Sequence, residues 1–97
     1  MKTFENSKVT KNEKLQRFEL AVEEDLAILE YREKGGVYSL VHTEVPVPLR
    51  GKGIANFLIE QTLKQLEREG HQIRPLCRAV SAFVERHPEW ERLLART

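Results

Sequence analysis

Two places in the sequence concentrate chemistry: the run Arg50-Gly51-Lys52-Gly53-Ile54-Ala55, and Cys77. Glycines let a ligand oxygen approach the backbone closely, and Arg50 and Lys52 add two cations. If a helix starts at Ile54, its unpaired first amides and the positive end of its dipole complete an anion site suited to a phosphate or pyrophosphate. The run is not a Walker A loop, which needs G-x-x-x-x-G-K-[ST]. Nor is it a dinucleotide fingerprint, because the third glycine is missing and the strands before it read as hairpins. A plain glycine-rich strand-to-helix turn is the competing reading. Cys77 is the one thiol of the chain. At the end of a strand and the head of a helix its thiolate is favoured by the dipole, with Arg74 and Arg78 flanking it and biasing the field the same way. A thiolate there is a nucleophile; the competing reading is a small buried hydrophobe. His42 and Glu44, two residues apart on one strand face, are candidates for a general base, against the commoner role of a hydrogen-bonded rim residue.

The elements that must carry these residues follow from periodicity. A short strand is expected around Lys8 to Lys11. Phe18, Leu20 and Val22 alternate with Arg17, Glu19 and Ala21, a period of two. After the charged turn Glu23-Glu24-Asp25, Leu26 to Arg32 reads as a strand apolar on both faces, Leu26/Ile28 and Ala27/Leu29/Tyr31, and so expected to be covered on both sides. Lys34-Gly35-Gly36 is the strongest turn signal. Val37 to Val45 then reads as a long strand with faces Val37/Ser39/Val41/Thr43/Val45 and Tyr38/Leu40/His42/Glu44. Pro46 and Pro48 end regular pairing.

From Ile54 to Glu69 the spacing predicts an amphipathic helix with Ile54, Ala55, Leu58, Ile59, Thr62, Leu63 and Leu66 on the apolar side. Phe57 falls among the polar residues, and Gly70 stands where such a helix ends. His71 to Leu76 is a short strand, joined to the long one through a helix and therefore expected to lie parallel to it. Ala79, Val80, Phe83 and Val84 recur at helical spacing. Pro88 suits the first turn of a last helix carrying Trp90, Leu93 and Leu94 into the core. The result is an α+β domain: an antiparallel β-meander, a phosphate-binding helix, a parallel fourth strand and two short C-terminal helices.

Arg50, Gly53 and Ala55 fit the pattern R-x-x-G-x-A. With His42-Thr43-Glu44-Val45-Pro46 before it, and Pro75-Leu76-Cys77 and His87-Pro88-Glu89-Trp90 after it, the chain from about Val9 to Leu94 resembles the small YjdJ-like domains of the Gcn5-related N-acetyltransferases. The resemblance implies a minimal fold of that type and acetyl-CoA as the ligand. The pantetheine arm would pair with the backbone from Glu44 through Val45 to Val47. The pyrophosphate would rest on the loop Arg50, Gly51, Lys52, Gly53, Ile54 and Ala55. The fourth strand would splay from the third and open a slot for the thioester. It also implies transfer of an acetyl group to an amine, either through a thioester on Cys77 or directly with His42 or Glu44 as base. Larger members carry helices between their early strands and further C-terminal strands that shape the acceptor site. Here three strands follow one another through turns alone. A non-catalytic CoA or acyl-CoA binder acting through a protein partner therefore stands beside the enzyme.

Composition narrows the remaining classes. Ninety-seven residues make one domain, taken as 1–97 with a core of about 9–94. Sixteen Lys and Arg against fifteen Asp and Glu leave a net charge of +1, without the basic excess of a nucleic-acid binder. A single Cys excludes an internal disulfide and a Cys-rich zinc site. With no leader-like segment, it points to the cytoplasm. The longest apolar run, Leu26 to Leu29, is too short to cross a membrane.

Overall fold

Alternating apolar residues and tight turns build the first half of the chain. The computed structural model describes residues 7–96, so the outer limits of the expected domain, residues 1–6 and 97, lie outside the described residues. Strands β1 (Val9–Asn12), β2 (Arg17–Val22), β3 (Asp25–Lys34) and β4 (Val37–Glu44) form an antiparallel meander. The β3–β4 hairpin closes on Gly35 and Gly36, both at positive φ (59° and 85°), the backbone that a two-residue turn needs to match strand twist. Helix α1 (Ile54–Arg68) crosses to β5 (Gln72–Pro75), which lies parallel to β4, and the sheet order is β1-β2-β3-β4-β5. Helix α2 (Arg78–Arg86) and a 3-10 helix (Pro88–Leu93) follow. No described helix is long and apolar enough to cross a membrane.

One face of α1 supplies Ile54, Leu58, Ile59, Thr62, Leu63 and Leu66 to the interior. They meet Phe18 and Leu20 of β2, Ala27, Leu29 and Tyr31 of β3, and Leu40 of β4, with Val80, Phe83 and Val84 of α2 in the same cluster. At the far end of α1 the His71 amide bonds to the Leu66 carbonyl (2.9 Å) and the Gly70 amide to that of Glu67 (3.1 Å), the paired closure of a glycine-terminated helix. Beyond β5 the chain returns as an edge cover. Leu94 bridges Ile73, and the Ala95 amide donates to the Ile73 carbonyl (2.9 Å), which occupies backbone groups of an otherwise unpaired edge.

The structure departs from the periodicity in four places. β3 is inner, but only Ala27, Leu29 and Tyr31 are buried; Leu26 is exposed and Ile28 half-buried, because the buried side chains of both helices join the opposite face. Phe57 is half-buried against the core rather than on a polar surface. The last helix is 3-10 rather than α; after β4, where the prolines end the pairing, Val47–Leu49 forms a short 3-10 turn. The fourth departure is a β-bulge. Tyr31 pairs with Leu40 but Glu30 with His42, so Val41 is an extra residue. The expected face Tyr38/Leu40/His42/Glu44 breaks there. Tyr38 and Leu40 are buried, while His42 and Glu44 are exposed and Thr43 and Val45 turn toward the core.

Candidate active site

The glycine loop sits where the sequence requires it, between β4 and α1. Gly51 and Gly53 have φ of 78° and 79°, values a side chain would strain. Gly53 is the N-cap residue of α1, and the first intrahelical bond runs from the Phe57 amide to the Gly53 carbonyl (3.1 Å). No side chain caps this end and no acidic residue lies in the first turn, which leaves the positive end of the helix without an anion from its own turn; Glu23 and Asp25, before and at the start of β3, line a hollow with Lys52 and Ile54 beside it. Ile54 is buried and Ala55 half-buried; both offer backbone amides rather than side chains. Lys52 is exposed. Arg50 Nε donates to the Val45 carbonyl (3.0 Å) and thereby ties the loop back to the end of the strand. Val47, at 70% exposure, opens the 3-10 turn, and its carbonyl accepts the Arg50 amide (3.2 Å).

A slot follows from how β5 leaves β4. The two pair only from Val37 to Leu40 on β4, and the amides of Leu76 and Cys77 both converge on the Leu40 carbonyl (3.1 and 2.8 Å). Past Leu40 no described strand pairs with β4 on that side. Cys77 stands at this divergence as the N-cap residue of α2, half-buried and free. Its Sγ lies 3.4 Å from Thr43 Oγ1. Burial pushes the thiol up, but the Thr43 hydroxyl and the amides of Val80, Ala79 and Thr43 outweigh burial and hold it below the ordinary thiol value. The arginines are not among these leading influences. Arg74 lines a hollow of about 230 Å³ with Arg32, Lys34 and Ser39, at the far end of β4 from the slot.

His42 and Glu44 come together but not with Cys77. On the outward side of the bulge, His42 Nε2 and Glu44 Oε1 are 3.3 Å apart, with side chains 53% and 64% exposed. Sequence reading missed Thr43. Its place beside Cys77 depends on the bulge, and alternation alone groups it with Val37 and Ser39.

A family model described as GCN5-related N-acetyl-transferase matches residues 17–93. The match spans most of the chain, from the start of β2 to the last turn of the 3-10 helix. The chain belongs to the GCN5-related N-acetyltransferase family, and its mixed five-stranded sheet is the small α+β form of that fold. Members of the family generally bind acetyl-CoA.

Proposed function

We propose that this single domain is an acetyl-CoA-dependent N-acetyltransferase that passes an acetyl group to an amine through a thioester on Cys77. The observation that carries the reading is the Cys77 thiol itself, half-buried at the divergence of β4 and β5, beside Thr43 and at the head of a helix, with its pKa lowered. The residues present fit the donor. The uncapped start of α1, with Gly51 and Gly53 in left-handed backbone, suits a pyrophosphate on the amides from Gly51 to Ala55, with Arg50 and Lys52 adding charge. The side of β4 that no described strand pairs at Glu44 suits the amide-bearing arm, which would continue past Val45, whose carbonyl also accepts Arg50 Nε, to Val47, where the backbone turns toward the loop.

Acetyl-CoA supplies the acetyl group as an activated thioester. Cys77 takes that group onto its sulfur as the bond to the departing sulfur breaks, and the thiol proton goes to the departing sulfur. Cys77 then yields the acetyl group to the amine nitrogen and regains a proton from the amine. One thioester replaces another in the first half, so that half is nearly balanced in energy, and amide formation drives the second. Direct transfer, with His42 taking the amine's proton, is the second reading. It is favoured by the His42–Glu44 contact, which holds the imidazole at 3.3 Å from a carboxylate on the exposed side of β4.

Intact-mass measurement after incubation with acetyl-CoA tests the proposal on the wild type and on Cys77→Ser. An acetyl adduct on the wild type that is absent from the variant is the expected result. Unchanged acetylation of an amine by the variant, with no adduct on the wild type, replaces the thioester route with direct transfer. Binding of CoA without adduct or product would leave only a binding module.

A further inference from the structure

We propose that Thr43 is a positioning residue for Cys77, whose hydroxyl donates a hydrogen bond to the thiolate and holds the sulfur at the open side of β4. The inference rests on Cys77 acting as the nucleophile.

The backbone of Cys77 is already fixed. Its amide donates to the Leu40 carbonyl (2.8 Å), and its own carbonyl accepts the Ser81 amide (2.9 Å). What remains free is rotation about χ1, which decides whether the sulfur faces the slot or the core. Thr43 Oγ1, at 3.4 Å, restricts that rotation. Thr43 is itself held: it pairs with Leu29 in the β3–β4 ladder, and a β-branched side chain in a strand has few χ1 choices. The chemistry then sets the direction of the bond. A neutral thiol can donate weakly to the hydroxyl, whereas a thiolate only accepts, so ionisation turns Thr43 into the donor. A donor to the charged form favours that form, and Thr43 is the strongest of the influences that lower the thiol.

Charge does not supply this effect. On the elements that meet here, His42 and Glu44 of β4 face outward, Arg74 of β5 lines the distant hollow, and Arg78 at the head of α2 is exposed. The bulge at Val41 makes the arrangement possible, because the same extra residue that leaves His42 outside brings Thr43 inside.

The test is the rate of alkylation by iodoacetamide as a function of pH, for the wild type, Thr43→Val and Thr43→Ser. The chain has a single Cys, so alkylation of a thiol, read by peptide mass, reports on Cys77 alone. Thr43→Val keeps the shape and removes the hydroxyl. It is expected to slow alkylation at neutral pH by roughly three- to tenfold and to move the midpoint to higher pH. Thr43→Ser, which keeps the hydroxyl, restores most of both. A valine variant with the wild-type profile overturns the proposal, and so does a serine variant as slow as the valine one. Alkylation needs no acetyl-CoA. A Thr43-dependent profile without an acetyl adduct on Cys77 would therefore support the hydrogen bond while removing the thioester route.

Discussion

Gly53→Ala separates the strain of the loop from its binding role. Gly53 caps α1 at φ of 79°, where an alanine costs about 1 kcal/mol or somewhat more. In a domain of this length, 1 kcal/mol lowers Tm by about 4–8 °C. Binding should suffer separately. The amides of Ile54, Ala55 and Asn56 precede the first intrahelical bond, which is made by Phe57, and only the backbone set by Gly53 aims them at one point. Losing a single hydrogen bond to a charged phosphate costs about 1.5–3 kcal/mol, which is roughly a ten- to hundredfold weaker Kd. Gly70 is a matched control. It lies at the other end of α1 with φ of 80°, and nothing stands within 4 Å of where a Cβ would be, so Gly70→Ala carries the same left-handed backbone strain without touching the loop. Isothermal titration with CoA, alongside thermal melts, should show similar falls in Tm for both variants and a loss of affinity only in Gly53→Ala. Equal affinities in the two variants would refute the assignment of a pyrophosphate to this helix end.

Two stability predictions are independent of the ligand. Thr62 is fully buried on the inner face of α1, and its hydroxyl has no hydrogen-bond partner. Thr62→Val keeps the shape, removes the unsatisfied group, and should raise stability by about 1 kcal/mol, seen as an increase in Tm of about 4–8 °C. Glu19 accepts bonds from Arg17 Nε (2.7 Å) and Asn12 Nδ2 (3.1 Å). The Arg17 bond is the main reason its carboxyl sits below the usual glutamate value of 4.5. A depressed folded-state pKa gives stability that is present above the unfolded value and is lost as pH falls through the folded one. Glu19→Gln should therefore melt lower than the wild type at pH 7, by an amount worth under about 1 kcal/mol for a half-buried pair still in reach of solvent, and the gap should close in acid. A gap that stays constant with pH would mean that packing, not charge, holds this pair.

Local features were legible in the sequence because they are written at the spacing of neighbouring residues. The alternation around Phe18 and Leu20 needs only the two-residue repeat of a strand. The same holds for the apolar side of α1 from Ile54 to Leu66, which needs only the repeat of a helix, and Gly70 marks its end through local hydrogen bonds. The glycine loop at the start of α1 was legible for the same reason: its glycines, its cations and the helix start are contiguous. Phe57 shows the limit of the helical wheel, since its burial depends on what packs over the flank of the helix rather than on its angle about the axis.

The chemistry around Cys77 belongs to the tertiary structure. Thr43 and Cys77 are 34 residues apart, and nothing in His42-Thr43-Glu44-Val45 announces the bulge. The bulge exists because β3 and β4 pair in one register at Leu40 and in another at His42, a property of two strands rather than of either one. A one-residue change of register inverts every side chain beyond it. Amino-acid order alone therefore determined that a thiol, a histidine, a glutamate and a glycine loop exist at the ends of particular elements. Strand pairing decided which of them meet: Cys77 with Thr43 on the core side, and His42 with Glu44 on the other.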